Sequence, residues 1–87
     1  MATMTADVAA AELWLHDWLG ARSPGVALGP DDNYFEKAGI DSFEAITLIE
    51  EAEQAFAIRF RQTDFQERRF ATIRGFGQIV AERQKPA

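Results

Sequence analysis

A short glycine turn followed by a long amphipathic segment constrains this chain more than any other feature. The turn is residues 39–43, with the sequence GIDSF, and the amphipathic segment runs from Ser42 to Phe56. Asp41 is a good helix N-cap because its carboxylate can accept from the free N–H groups that open a helix, and Glu44 follows three residues later, as in a capping box. Gly39 allows the backbone to turn sharply before the cap. The sequence therefore predicts a helix that begins at Asp41 and holds the Ser42 hydroxyl in its first turn.

The segment from Ser42 to Phe56 has the period of a helix with one buried face. One face carries Ala45, Leu48, Ile49, Ala52 and Phe56, with Ile46 at its margin. The opposite face carries Phe43, Glu44, Thr47, Glu50, Glu51 and Gln54. Phe43 is the unusual member, because a large aromatic on an acidic face is either an anchor for a partner or a side chain that folds onto the preceding loop.

Ser42 can be interpreted in two ways from the residues alone. A helix N-terminus carries partial positive charge and unpaired N–H donors, so a phosphate attached to the Ser42 hydroxyl would be stabilised there. Alternatively, Asp41 and Ser42 simply cap a helix, since both residue types are common at that position.

The rest of the chain predicts further helices around the segment from Ser42 to Phe56. A first helix runs from Thr5, with Asp7 in its first turn, to about Leu19, where Gly20 stops it. Its apolar stripe contains Val8, Ala11, Trp14, Leu15, Trp18 and Leu19, and the two tryptophans are interpreted as core residues. Leu13 lies outside the stripe as either a flank contact or an exposed residue.

A long connection from Gly20 to Gly39 follows the first helix, and its apolar side chains should hold it against the helices. These side chains are Val26, Leu28, Tyr34 and Phe35. A shorter helix is predicted within residues 60–70, with Thr63 or Asp64 as N-cap and with Phe65 and Phe70 closing the core. The last helix should start at Thr72, and Gly75 and Gly77 within it suggest close helix packing.

Composition limits the possible functions. The 87 residues suit a single domain spanning 1–87, with residues 1–4 and 84–87 expected to fray. The chain has no cysteine, which excludes disulfides and thiol chemistry of its own. With 14 acidic and 9 basic residues, its net charge of −5 argues against nucleic acid and anionic membranes as partners. No signal peptide or transmembrane run is visible in the sequence, so a cytoplasmic protein is expected. We also expect a monomer.

Catalytic and metal-binding alternatives fit poorly. A nucleophilic serine needs a base beside it, and the only histidine, His16, lies in the first helix without an implied acid partner. Residues 31–42 fail as a calcium loop because Phe35, Glu36 and Ser42 occupy positions that require an oxygen ligand, glycine and glutamate. The pair of glycines at 75 and 77 lacks the third glycine of a dinucleotide-binding loop. We expect no metal site and no catalytic activity.

The stretch from Asp31 to Phe43, with the sequence DDNYFEKAGIDSF, together with the following helix and Phe56-Ala57-Ile58-Arg59-Phe60, resembles the phosphopantetheine carrier family. This family comprises acyl, aryl and peptidyl carrier proteins. Its core motif, G-x-D-S-L, follows an aspartate-rich turn and an aromatic residue. The resemblance extends from about Asp31 to about Arg83, and it departs from the motif at Phe43, where leucine is usual.

The resemblance implies an all-α four-helix bundle of the acyl-carrier type, with a long loop between its first two helices and a short third helix. It implies that 4'-phosphopantetheine, derived from coenzyme A, is attached to Ser42, with Asp41 and Gly39 beside the site, and that the arm holds an acyl or aminoacyl group as a thioester. The implied partners are a phosphopantetheinyl transferase, an adenylate-forming ligase or acyltransferase, and synthases with basic docking patches. Those enzymes would contact Phe43, Glu44, Ile46, Thr47, Glu50 and Glu51.

Several functional alternatives remain open. A stand-alone carrier in natural-product biosynthesis is our first choice, and a fatty-acid or D-alanyl carrier is the alternative within the family. From a different class, an unmodified acidic helical adaptor that binds a basic protein would share the same acidic helix but would not need the serine.

Overall fold

A computed structural model describes residues 8–84 of the chain as a bundle of helices. The helices are α1 (Val8–Arg22), α2 (Tyr34–Lys37), α3 (Ser42–Phe56) and α4 (Ile73–Gln84), and two 3₁₀ turns, Gln62–Gln66 and Arg68–Ala71, connect α3 to α4. Within these residues the extended pairing is limited to one isolated bridge, between Asn33 and Thr72. The predicted all-α bundle of the acyl-carrier type is confirmed.

Helix α1 forms one wall of the core and extends further than predicted. It buries Ala11, Leu15 and Leu19 completely. The helix passes through Gly20 and ends at Arg22, three residues beyond the predicted end at Leu19. Its end fits the following Pro24, which disfavours helical geometry at the residue before it. The predicted cap at Thr5 and Asp7 lies outside the described residues.

The interpretation of the α1 tryptophans as core residues is confirmed. The Trp14 ring lies 5.6 Å from Phe56 of α3 and 6.2 Å from Phe76 of α4, measured between ring centroids. Trp18 is half-buried against the same core. Leu13, in contrast, is 63% exposed. Helix α1 therefore contacts both other long helices through one face.

The connection between α1 and α3 contains a helix that the sequence analysis missed. Asn33 caps α2 by accepting a hydrogen bond from the Glu36 N–H at 3.2 Å. Tyr34 is fully buried, and its hydroxyl donates to the Phe70 carbonyl at 2.5 Å. Leu28 and Phe35 also pack against the core as predicted, whereas Val26 is 37% exposed, so its predicted anchoring role is wrong.

The predicted single helix within residues 60–70 is wrong, because two 3₁₀ turns occupy this stretch. Asp64 lies inside the first turn rather than before it, and its side chain is 1% exposed. Its carboxylate accepts from the Arg61 N–H at 2.8 Å and from the Arg83 Nε at 3.1 Å. A buried carboxylate requires such partners, and Asp64 thereby ties the first 3₁₀ turn to α4.

Aromatic side chains fill the space beneath the 3₁₀ turns. Phe70 is buried, as predicted, and lies 5.1 Å from Phe65 between ring centroids. Phe65 itself is 42% exposed, so it covers the edge of the core rather than closing it. Thr72 precedes α4, and its hydroxyl accepts from the Gly75 N–H at 3.0 Å. The predicted start of the last helix is therefore correct to within one residue.

Helix α4 packs closely on its neighbours through two glycines, as predicted. A methyl group at Gly77 would lie 2.9 Å from the Val8 carbonyl oxygen of α1, and one at Gly75 would overlap the Arg69 backbone. Gln84, the last described residue, donates from its side chain to the Phe56 carbonyl at 2.7 Å. Among the described helices, none combines the length and hydrophobicity that spanning a membrane requires.

Candidate functional site

The turn before α3 is fixed by one glycine in the left-handed backbone region and one buried side chain. Gly39 has a φ of +66°, a backbone conformation that residues with a Cβ rarely adopt. Ile40 is 8% exposed, and its N–H donates to the Phe35 carbonyl at 3.0 Å. The Ser23 hydroxyl donates to the Ala38 carbonyl at 2.9 Å, which ties the turn to the end of α1. Together these contacts fix where α3 begins.

The predicted capping box at the start of α3 is confirmed. The Asp41 carboxylate accepts from the Glu44 N–H at 2.9 Å, and the Glu44 carboxylate accepts from the Asp41 N–H at 3.3 Å. Each carboxylate therefore accepts a hydrogen bond from a backbone N–H that has no acceptor within the helix. The box holds the first turn of α3 in regular geometry.

Ser42 is the first residue of α3 and is exposed. Its hydroxyl forms no hydrogen bond with any residue in the range 8–84, and both flanking residues, Asp41 and Phe43, are also exposed. The first N–H groups of a helix have no partner within it and carry its positive partial charge. The site thus combines an accessible hydroxyl with a local environment that tolerates an attached phosphate.

The outer face of α3 presents apolar side chains next to this serine. Phe43 is 82% exposed, so the side chain does not fold onto the loop, and Ile46 is 54% exposed. The Thr47 hydroxyl donates to the Phe43 carbonyl at 3.2 Å and does not point freely outward. Glu50 is exposed on the next turn. Exposed Phe43 and Ile46 therefore form an apolar patch that begins at the residue after Ser42 and is bordered by Glu50.

Glu51 differs from Glu50 because its carboxylate already has partners on α1. Its carboxylate accepts from the Trp18 indole N–H at 2.9 Å and lies 3.7 Å from the Arg22 guanidinium. Arg22 also lies over the Trp18 ring, 4.0 Å from its centroid. The sequence analysis missed this link between α1 and α3, although a tryptophan N–H at the margin of an apolar stripe indicates a nearby acceptor.

No group of three or more potential metal ligands comes together within residues 8–84. His16 is exposed and borders a surface groove with Leu13 and Ile73. It forms no hydrogen bond or ion pair with another described residue. No described histidine therefore activates Ser42.

The fold and the site define a class of protein: a small helical bundle that displays an accessible serine hydroxyl at the capped start of a helix. A family model described as a phosphopantetheine attachment site matches residues 12–80, which is most of the chain. The chain belongs to this family. No curated protein and no solved structure matched it significantly.

Membership defines the cofactor and the general role. The cofactor is 4'-phosphopantetheine, attached covalently, and the role is that of a carrier. Carrier domains of this family are generally non-catalytic and interact with phosphopantetheinyl transferases and with synthases or ligases. The residues around the start of α3 fit the cofactor, because they offer an exposed hydroxyl and unpaired N–H donors while the nearby carboxylates are engaged in the capping box.

Proposed function

We propose that this protein carries an acyl or aminoacyl group on a phosphopantetheine arm attached to Ser42. The observation that supports this assignment is the exposed Ser42 hydroxyl in the first turn of a helix that a capping box holds in place. Only one other serine, Ser23, occurs in the chain, and its hydroxyl is engaged with the Ala38 carbonyl. Ser42 is thus the serine available for modification.

In the attachment step, the Ser42 oxygen forms a bond to the phosphorus of coenzyme A that carries the pantetheine. The phosphoanhydride bond breaks, adenosine 3',5'-bisphosphate leaves, and a base of the transferase takes the hydroxyl proton. When bound, the arm supplies a thiol on which the cargo is held as a thioester. The partial positive charge at the start of α3 stabilises the negative phosphodiester.

The residues around Ser42 have separate tasks in this proposal. Gly39 provides the turn, and Asp41 maintains the first turn of the helix through its bond with Glu44. Both residues therefore position the Ser42 hydroxyl, Gly39 through its backbone conformation and Asp41 through its carboxylate.

The outer face of α3 is proposed as the docking surface for partner enzymes. Phe43 and Ile46 supply exposed apolar area, and Glu50 supplies a negative charge for a basic patch. Glu44 and Thr47 border the surface, although both are half-buried and already bonded within the helix. The partners proposed are a phosphopantetheinyl transferase, an adenylate-forming ligase or acyltransferase, and downstream synthases.

The chain, residues 1–87, is proposed to be one carrier domain without catalytic activity of its own, in a pathway of natural-product biosynthesis. The support for the pathway is Phe43, which stands where the family usually has leucine, together with the basic residues that follow α3, because both suggest a specialised set of partners. A fatty-acid or D-alanyl carrier is the alternative.

Intact-mass spectrometry tests the attachment. The protein is incubated with coenzyme A and a broad-specificity phosphopantetheinyl transferase, and we expect a mass gain of one phosphopantetheine group. Ser42→Ala should abolish the gain, whereas the matched variant Ser23→Ala should retain it. No gain on the wild type, or an equal gain on Ser42→Ala, would overturn the proposal and favour the unmodified acidic adaptor.

A further inference from the structure

Three arginines in the connection between α3 and α4 are free of internal partners. Arg59, Arg61 and Arg68 are exposed and form no ion pair or side-chain hydrogen bond with other residues in the range 8–84. The other described arginines are engaged in ion pairs, namely Arg22 with Glu51, Arg69 with Glu67 and Glu82, Arg74 with Asp31, and Arg83 with Asp64. We call Arg59, Arg61 and Arg68 the arginine surface.

Two of these arginines border a hollow of about 530 Å³ beside the C-terminal ends of α3 and α4. Arg59 and Arg61 line it together with acids that already have partners. Glu53 accepts from the Phe60 N–H at 3.0 Å, and Glu82 accepts from Arg69 at 2.7 Å. The guanidinium groups of Arg59 and Arg61 are therefore available to a carboxylate that enters from outside, and guanidinium geometry suits carboxylates.

The arginine surface adjoins the outer face of α3. Arg59 also lines a second hollow, of about 510 Å³, together with Glu50 and Glu53. In the same connection, the Phe65 ring is 42% exposed and lies 5.9 Å from Phe60 between centroids. Positive charge at Arg59 therefore lies beside the acidic face of α3, and the same connection also exposes an aromatic ring.

We propose that the arginine surface binds an acidic segment of a partner protein, beside the position where a basic patch of that partner meets α3. A partner that carries a basic patch opposite the acidic face of α3 and an acidic segment opposite the arginine surface can dock in only one orientation. Reversing the partner would place like charges together. This second contact would set the direction in which the Ser42 hydroxyl faces the partner. The inference rests on the proposed docking of partners on α3, but it does not depend on attachment of the arm.

A protein segment fits this surface better than a nucleic acid. Binding of a nucleic acid depends on many phosphate contacts, and three arginines neutralise few phosphates. The exposed Phe65 ring adds an apolar contact of the kind that protein interfaces use. Acidic side chains beside an apolar one are therefore the expected ligand.

The test uses the ¹⁵N-labelled full chain without its arm and two synthetic peptides. The acidic probe is acetyl-EELEEFEE-amide, and the matched control peptide replaces each glutamate with lysine. We expect the acidic probe to shift amide signals of residues 57–70 saturably in heteronuclear NMR spectra at low salt. The double variant Arg59→Gln/Arg61→Gln should weaken its binding about threefold to tenfold, as expected for the loss of two exposed charge pairs.

The matched variant His16→Glu/Ala27→Glu lowers the net charge by the same amount at two exposed positions, one in α1 and one in the loop that follows it. It should leave binding of the acidic probe within about twofold of the wild type. Equal weakening in both double variants, or no saturable shift in residues 57–70, would overturn the inference. Inorganic phosphate that reproduces the same shifts would also overturn it, because the surface would then be a small-anion site. Loading of Ser42, measured by mass on the same variants, separates these outcomes from failure of the carrier proposal.

Discussion

At the scale of single residues, Ala57 is the clearest case of local conformational strain. It ends α3 with a φ of +56°, in the left-handed region that glycine favours, and its N–H donates to the Glu53 carbonyl. Replacing Ala57 with glycine removes the Cβ clash at the cost of a more flexible unfolded chain. We predict that Ala57→Gly raises the free energy of unfolding by about 0.5–1 kcal/mol, measured by urea denaturation.

Gln54→Gly is the matched control for this prediction, because Gln54 is exposed inside the same helix. Glycine there should lower the free energy of unfolding by about 1 kcal/mol. If both substitutions destabilised the protein equally, the strain at Ala57 would not matter for stability.

At the scale of secondary-structure elements, the position of α4 depends on Gly75. A Cβ at this position would overlap the Arg69 backbone in the second 3₁₀ turn, and a backbone segment cannot move aside as a flexible side chain can. We predict that Gly75→Ala lowers the free energy of unfolding by about 2–3 kcal/mol, or prevents folding, because one of the two elements must shift.

Gly20→Ala provides the comparison for Gly75→Ala, since a Cβ at Gly20 meets no atom within 4 Å. Alanine in α1 should raise the free energy of unfolding by about 0.5–1 kcal/mol. Thermal and urea unfolding of both variants measure the difference, and a neutral Gly75→Ala would contradict the packing described for α4.

The elements differ in how far local sequence determines them. Helix α3 was predicted to the residue because its capping box, Asp41 with Glu44, lies within four residues of sequence. The 3₁₀ turns were not predicted, because they depend on Asp64 being buried with Arg83 from α4, a contact across 19 residues. Helix α2 could have been predicted, since Asn33 followed by Glu36 is a local capping signal.

The candidate site likewise contains features that local sequence determines and features that depend on packing between helices. The turn at Gly39 and the cap at Asp41 follow from neighbouring residues, whereas the engagement of Glu51 by Trp18 depends on how α1 packs against α3. Sequence reasoning grouped Glu50 with Glu51 because both lie on the same helix face. The structure distinguishes them by their contacts.

The connection that contains α2 should respond to acid. The Gly29 N–H, which donates to Asp32 at 2.7 Å, and the ammonium group of Lys37 hold the pKa of Asp32 below its ordinary value of 3.8. Because the folded state has the lower pKa, this stabilisation is present above the ordinary pKa and is lost as pH falls through the folded pKa. We predict that the free energy of unfolding decreases from about pH 4 downward, with a shallower decrease in Asp32→Asn.

Urea unfolding at a series of pH values between 7 and 2.5 measures this dependence. Glu67, whose pKa is lowered from its ordinary value of 4.5 by hydrogen bonding to Arg69, contributes in the same direction and remains in both proteins. Parallel pH profiles for the wild type and Asp32→Asn would contradict a role for Asp32.

At the scale of the whole molecule, charge is divided between an acidic outer face on α3 and the arginine surface that follows it. Glu50 and Glu51 are neighbours on that acidic face, but only Glu51 links α3 to α1. Substituting each of the two acids therefore allows effects on docking to be measured separately from effects on stability. Glu50 is exposed and serves as the probe for docking, and Glu51 serves as the probe for the internal link.

We predict that Glu50→Ala changes the free energy of unfolding by less than about 0.5 kcal/mol but lowers kcat/KM for loading by a phosphopantetheinyl transferase about threefold to tenfold at low salt. The difference from wild type should shrink as salt is added, because screening weakens exposed charge interactions. Glu51→Ala should instead lower the free energy of unfolding by about 1 kcal/mol and alter the tryptophan fluorescence, since the Trp18 N–H and Arg22 lose their acceptor. Equal loading by wild type and Glu50→Ala at every salt concentration would mean that the transferase does not dock on this part of α3.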